Sequence, residues 1–503
     1  MDKTGYIIRL LEDSEIFFLG RPRRFGKSLF LSTLDYFFRG ERELFRGLAI
    51  DSYPDWNWEP YPVIRLDLGM GSYAESDSLK ETLDFALSRY EKSYGISPSS
   101  RNIYHRFQQL ILTAHESTGK RVVVLVDEYE KPIIDMLDRP EIMELHRETL
   151  RGFYSVLKGL DSCLRLVFLT GVTKFGQMNV FSGLNNIKDI SLDDKCNAIC
   201  GVTEEELRSS FKEGIEALAR EYETDYEGAL NLLKKNYDGY HFSKRCPDIY
   251  NPFSLISALS HCNIRSYWAA SGTPTLLVKV LLQKNLGLLD MKDIEVEEER
   301  LSGVNNRLDD PVALFYQTGY LTIKSYDRKM DLYRLGFPNK EVADSFMKFI
   351  LPSYCNLQVG ETDSFLIQLA RAFYDGKPDL AMELLEEFSA SISYDMIPVP
   401  EVERHFQYMM YLVCKLLLAR DVFVRVEEKT SDGRIDILVE SQQFVYVIEI
   451  KRDSSPQEAL RQILEKEYAL PYRHDGRKIF LVGVNFSTEK KRLDGFITQE
   501  FQS

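Results

Sequence analysis

The segment that most constrains this chain is Glu15-Ile16-Phe17-Phe18-Leu19-Gly20, followed by Arg21-Pro22-Arg23-Arg24-Phe25-Gly26-Lys27-Ser28 and then LFLSTLDYFF. The apolar run reads as a strand, the stretch bearing proline and glycine as a tight turn, and the residues after Ser28 as a helix. A helix N-terminus set at the end of a strand aims backbone N–H groups and the positive end of its dipole at one point, which suits a phosphate. Lys27 would reach the outer phosphates, and Ser28 would ligate Mg²⁺. The usual spacing puts a glycine five residues before Gly26, where this chain has Arg21, and Gly20 falls one residue early. The first turn of the loop must therefore accommodate a side chain.

A second run supports the same chemistry. Arg121-Val122-Val123-Val124-Leu125-Val126 is a buried-strand pattern ending in Asp127 and Glu128. Asp127 would complete the Mg²⁺ sphere begun by Ser28, and Glu128 would polarise the attacking water. Leu164–Leu169 is another apolar strand, and it ends at Thr170, whose hydroxyl is placed to report on the γ-phosphate. Thr173 and Lys174 are further candidates. A lone Gly-Lys-Ser is often an ordinary basic helix start, and a strand ending in Asp-Glu is often only a solvated strand end. Their occurrence together, in this order and about a hundred residues apart, points to ATP and Mg²⁺.

At 503 residues the chain exceeds one core, so two to four domains are expected. Residues 1–200 alternate strands (Glu15–Leu19, Pro62–Asp67, Arg121–Asp127, Leu164–Thr170) with helices at about 27–38, 77–93, 101–118 and 141–159, the pattern of a parallel α/β sheet. Thr203-Glu204-Glu205-Glu206 is a capping box opening a helical region, 201–305. Residues 306–395 combine a hairpin (Leu321–Ser325 and Met330–Leu335) with helices, the last at about 361–391, and a winged-helix fold would fit. After Pro398 and Pro400, residues 396–503 offer a helix at 401–419, strands at 421–428, 434–440 and 444–450, a helix at 456–468 and a last strand at 478–484. The expected fold class is α/β multidomain: a P-loop NTPase with a parallel sheet, a helical and winged-helix-like middle, and a C-terminal α/β domain.

That last region carries a second constellation. Gly433-Arg434-Ile435-Asp436 opens one strand, and Val445–Lys451 forms another on which Glu449 and Lys451 share a face. Asp436 on the neighbouring strand meets them there, and Glu403 is offered by the preceding helix. Two or three carboxylates make a hard oxygen site for Mg²⁺, and Lys451 would orient or deprotonate a water beside a phosphodiester. Gln462 and Tyr468 follow on the next helix. A Glu-x-Lys pair alone is usually a salt bridge on a strand face; the full order of Glu, Asp and Glu-x-Lys favours a nuclease-type site.

These segments resemble a known family. RPRRFGKS, the VDEYEKPI run at 126–133, LTGVTKF at 169–175, YDGYHF and YNPFSL are similar to the bacterial AAA-ATPase-like family, and GRID at 433–436, IEIK at 448–451 and QILEKEYALPY to the PD-(D/E)XK nuclease-like domain commonly fused to it. The resemblance covers nearly the whole chain, presents RPRRFGKS as that family's own version of the loop, and implies a RecA/AAA-like core, a helical and winged-helix-like middle and a restriction-endonuclease-like end. It also implies a strand and loop ahead of a Tyr-Val-Asp-Lys-Thr stretch, where this chain opens at Met1-Asp2-Lys3-Thr4.

The expected activity is ATP binding and hydrolysis coupled to a Mg²⁺-dependent nuclease acting on DNA. The rival is an ATP-driven switch whose C-terminal domain binds nucleic acid or a partner without cutting. The net charge of −14 excludes a generally basic nucleic-acid binder but not a local basic groove. Apolar stretches are strand-sized, far below a membrane span, and the N-terminus has no signal-peptide shape. Seven scattered cysteines, of which Cys196 and Cys200 are the only close pair, read as reduced thiols in a cytoplasmic protein. Oligomerisation is compatible with all of this.

Overall fold

The computed structural model describes residues 1–503 apart from 99, 174–179, 182–185, 246–247, 269–293, 303–310, 355–358, 392–412, 414–415, 418–421, 431–432, 475 and 502–503. The described residues fall into two compact units, one within Met1–Ser271 and Met291–Glu341, the other within Val342–Ser503.

The first unit is built on a parallel sheet. In chain order its elements are α1 (Gly5–Asp13), β1 (Ile16–Gly20), α2 (Lys27–Phe38), β2 (Val63–Asp67), α3 (Ser78–Ser93), α4 (Ile103–Thr118), β3 (Val122–Asp127), α5 (Pro140–Ser155), β4 (Leu164–Gly171) and β5 (Lys188–Asp189). The strand order is β2-β3-β4-β1-β5, so β4 lies between the strand that feeds the loop and the strand that ends at Asp127. Both faces of the sheet are covered, which is why β3 is buried at every position. Residues of α3, α4 and α5 pack with Ile64, Val124 and Leu169 on one face, where Phe107 stacks on Phe153 at 4.3 Å. Phe30 of α2 meets Phe168 on the other, at 5.7 Å. Helix ends follow local chemistry: Asn102 caps α4 by accepting from Tyr104 N–H at 2.9 Å, and Gly119 closes it with φ +67°.

The same unit holds a helical region. The capping box at Thr203 and Glu206 is formed reciprocally. Helices Lys212–Glu221, Tyr226–Tyr237 and Pro252–His261 enclose a small core of Leu218, Leu233 and Leu255. The hairpin Thr322–Asp327 and Leu332–Gly336 is antiparallel and gains a third strand, Ile294–Val296, beside its second.

The second unit contains α6 (Val359–Tyr374), α7 (Pro378–Ser391), β6 (Phe423–Thr430), β7 (Gly433–Glu440), β8 (Phe444–Arg452), α8 (Pro456–Glu465), β9 (Lys478–Ser487) and β10 (Arg492–Glu500). Its mixed sheet runs β6-β7-β8-β9-β10, with only β8 and β9 parallel. Helix α8 packs on one face through Leu460 and Ile463, and α6 and α7 cover the other, where the Tyr446 hydroxyl donates to Phe373 O at 2.7 Å. The parallel sheet of the first unit and this mixed sheet match the expected fold class. Two details differ. The stretch 361–391 is two helices, because Gly376 adopts φ +71° between them. The chain also ends on a strand, β10, that its apolar pattern does not announce.

Candidate functional site

The phosphate loop joins β1 to α2, and its backbone turns at Arg24, φ +67°, and Gly26, φ +97°. Lys27 is 6% exposed and folds back on its own loop, donating to Arg21 O at 2.9 Å and Pro22 O at 3.1 Å. Burial pushes its ammonium below the usual lysine range, and Glu130, Cys200, Asp127 and Glu128 oppose that shift in that order. A lysine parked on carbonyls, with α2 starting at its feet, fits a loop made for phosphate oxygens. Ser28, Arg23 and Arg24 are exposed, and Arg24 lies over the Phe253 ring at 4.4 Å.

The other loop residues face inward. Phe25 is buried edge-on against Tyr240 and Phe242, with centroids 4.7 and 5.3 Å away. Pro22 is packed so closely against Gly319 that a Cβ there would lie 2.7 Å from Pro22 Cβ. Arg21 enters the site through its backbone: its N–H donates to Gly171 O at 3.1 Å and its carbonyl accepts from Lys27, while its guanidinium turns into the protein. The YDGYHF segment thus braces the phosphate loop.

Across β4, Thr170 donates to Asp127 Oδ1 at 2.5 Å; both are buried. Glu128 has φ +49° and turns toward β2, where a Cβ on Gly69 would lie 2.8 Å from its Oε2 and 3.0 Å from Asp67 Oδ1. The residue missed by sequence reasoning is Glu130. It is 3% exposed, and its Oε1 accepts from Val172 N–H at 2.5 Å and Thr173 N–H at 3.4 Å. Its Oε2 is buried with no hydrogen-bond partner among the described residues. Burial raises its carboxyl to about 7, against the pull of the Val172 N–H and Lys27. Gly171 is the signal that could have revealed it, since a Cβ there would lie 2.3 Å from Glu130 Oε2. Thr173 is buried and its backbone carbonyl accepts from the Tyr129 hydroxyl at 3.0 Å; Lys174 lies outside the described residues. Cys196 and Cys200 are buried free thiols.

In the second unit, β7 and β8 pair at Ile437–Ile448, so Asp436 comes opposite Glu449 on the same face. Asp436 Oδ2 accepts from Ile450 N–H at 2.8 Å. Lys451 Nζ lies 3.5 Å from Glu449 Oε1. Gln462, from α8, bridges them: its amide nitrogen donates to Glu449 Oε1 and its oxygen accepts from Lys451 Nζ. The Tyr468 hydroxyl stands 3.5 Å from the same amide nitrogen. Glu449 is 3% exposed, and its Oε2 is buried without a hydrogen-bond partner among the described residues. Burial, reinforced by the Asp436 carboxylate and offset by Lys451, raises its carboxyl to about 7. An orphaned oxygen facing a second carboxylate is a donor set that fits a divalent cation. Among the described residues no three His, Cys, Asp or Glu side chains converge as a metal cluster, and Glu403 lies outside the described residues.

Comparison with known proteins agrees with this division. Residues 1–181 match the AAA-ATPase-like family, described as "Predicted AAA-ATPase", and residues 401–495 match the PD-(D/E)XK nuclease superfamily. A protein of Azotobacter chroococcum mcd 1, described as the uncharacterized protein in the vnfD 5′ region, is 36% identical over 509 residues, which span 99% of this chain and 95% of that relative. No helix among the described residues is long and apolar enough to cross a membrane. With a relative so similar along its whole length and both domain matches in place, the chain belongs to the AAA-ATPase-like family, in the form that carries a PD-(D/E)XK nuclease-superfamily domain toward its C-terminal end.

Proposed function

We propose that this chain hydrolyses ATP in its N-terminal domain and cuts DNA in its C-terminal domain, with Mg²⁺ at both centres. The observation that carries the reading is the convergence of side chains at two places: Lys27, Asp127 and Thr170, from distant segments, around one loop end, and Asp436, Glu449 and Lys451, from two successive strands, on one sheet face. In the first, the loop N–H groups and Lys27 bind and orient the phosphates, Ser28 and Asp127 hold the metal, Thr170 fixes Asp127, and Glu128 takes a proton from water. In the second, Asp436 and Glu449, with Glu403 as a third donor, hold the metal. Gln462 keeps Glu449 and Lys451 in register, and Lys451 steadies the attacking water or the developing charge. Bound metal supplies Lewis-acid stabilisation of phosphate oxygens and a more acidic water. The working partition is 1–200 for the ATPase, 201–305 for a helical lid, 306–395 for a connector and 396–503 for the nuclease. The free thiols among the described residues, Cys163, Cys196, Cys200 and Cys262, suit a cytoplasmic setting.

A second reading, an ATP-dependent switch that binds nucleic acid or a partner without cutting, is favoured by one observation: only two carboxylates converge at the C-terminal site among the described residues. ATP turnover tests the first half of the proposal. Glu128→Gln is expected to bind ATP normally while turnover falls by about a hundredfold or more, and Lys27→Ala to lose affinity. Parent protein that binds no ATP, or Glu128→Gln that turns over at the parent rate, would overturn it.

A further inference from the structure

Where a glycine usually opens the phosphate loop, this chain buries a cation. Arg21 is 1% exposed. Its Nη1 donates to Gly20 O and Ser191 O, each at 2.8 Å, and its Nη2 to Cys196 O at 2.9 Å and Asn197 O at 3.3 Å. The guanidinium carbon lies 4.2 Å from the centroid of the Phe242 ring. Every one of these partners is a carbonyl dipole or an aromatic face. Among the described residues no carboxylate comes within ion-pair distance of it, and Asp189 acts on it only from farther off, so the charge is solvated by the protein but not paired. An arginine does not shed its proton to escape such a place. Burying an unpaired charge is costly, and that cost falls when an anion settles nearby. The adjacent anion site is the loop itself, since the carbonyl of Arg21 holds Lys27 and its N–H is tied to the end of β4.

We infer that Arg21 is a positioning residue of the phosphate site: a buried, uncompensated cation that replaces the loop's first glycine, fixes the Gly20–Pro22 turn, and favours the nucleotide that carries more negative charge. The inference rests on the nucleotide-binding reading and adds a source of selectivity to it. ATP bears about one charge more than ADP, and low-dielectric surroundings screen Arg21 weakly, so its contribution grows along that series.

The test is titration of the full chain with Mg-ATP and Mg-ADP, followed by calorimetry. Parent protein that binds neither would remove the nucleotide-binding reading itself. With that binding present, Arg21→Met is expected to weaken ATP about tenfold and ADP about threefold, narrowing the ATP:ADP ratio. Arg21→Lys keeps the charge but loses the fork, so both affinities should fall together with the ratio preserved. Arg21→Gln keeps an amide donor for the same carbonyls without the charge and reads the charge even if Arg21→Met does not fold; it should narrow the ratio in the same direction. An unchanged ratio in Arg21→Gln and in any folded Arg21→Met would overturn the inference and leave Arg21 a spacer.

Discussion

Glu130 sits three residues beyond Asp127, at the base of the phosphate centre, with one carboxylate oxygen tied to the Val172 and Thr173 N–H groups and the other buried with no hydrogen-bond partner among the described residues. It pins the end of β4 and therefore the place of Thr170. Between the ordinary glutamate value of 4.5 and about 7, the folded chain keeps a proton here that the unfolded chain has released. Folding stability therefore falls as pH rises through that window, by at most about 3 kcal/mol for this group. Glu130→Gln keeps the acceptor for Val172 and cannot ionise. Its thermal unfolding midpoint should depend less on pH between 4.5 and 7, and at pH 8 it should be no less stable than the parent. A pH profile as steep as the parent's would contradict this account. Motif reading stopped at Asp127 and Glu128 because Glu130 follows no strand or helix period; its partners come from a strand forty residues away. Arg21 was legible as a departure from the loop pattern, but its carbonyl cage was not, since Ser191, Cys196 and Asn197 meet it only in the folded chain.

At the scale of elements, glycines set how closely neighbours approach. Gly483 of β9 pairs with Glu449 of β8, and a Cβ there would lie 2.2 Å from Pro456 O and 2.7 Å from Leu460 N. Helix α8 rests on that bare backbone, and this seats Gln462 over Glu449. Gly483→Ala should push the helix away, cost about 1–3 kcal/mol on denaturation, and depress cleavage more than ATP turnover. Equal loss of both activities would mean a general unfolding instead. Gly319, at φ +90° against Pro22, plays the matching part for the phosphate loop. Gly319→Ala should cost a similar amount and weaken ATP binding, measured by the same titration; unaltered affinity would show that the loop is not braced there. Strands β1 to β4 and helix α2 were readable to within a residue or so, because each carries an uninterrupted apolar run or a clear helical period. Helix α1 and strand β10 were not. The first is nine residues with only Ile7 and Leu10 buried. The second, RLDGFITQE, has charge at both ends, a central glycine and mostly half-exposed positions, so no alternation stands out. The break between α6 and α7 is passed over by reading 361–391 as one helical stretch, although Gly376-Lys377-Pro378 carries its signal, a helix stop followed by a helix start.

On the scale of the whole molecule, the two proposed centres fall in two compact units, each formed from residues of its own unit. The net charge of −14 bears on how it meets a polyanion. Several cations in the C-terminal unit are already paired: Lys478 with Glu500, Lys490 with Asp494, Arg461 with Glu458 and Glu465. DNA binding should therefore be shallow in its salt dependence, with about three counter-ions or fewer released; a steep dependence would point to a basic groove built from cations outside these pairs. The double-centre account is tested most directly by incubating the full chain with plasmid DNA and Mg²⁺, with and without ATP, beside Lys451→Ala and Lys27→Ala. The account predicts metal-dependent cutting by the parent, none by Lys451→Ala, and loss of ATP turnover in Lys27→Ala alone. Cutting that persists in Lys451→Ala, or a parent that binds ATP yet never cuts, would contradict it.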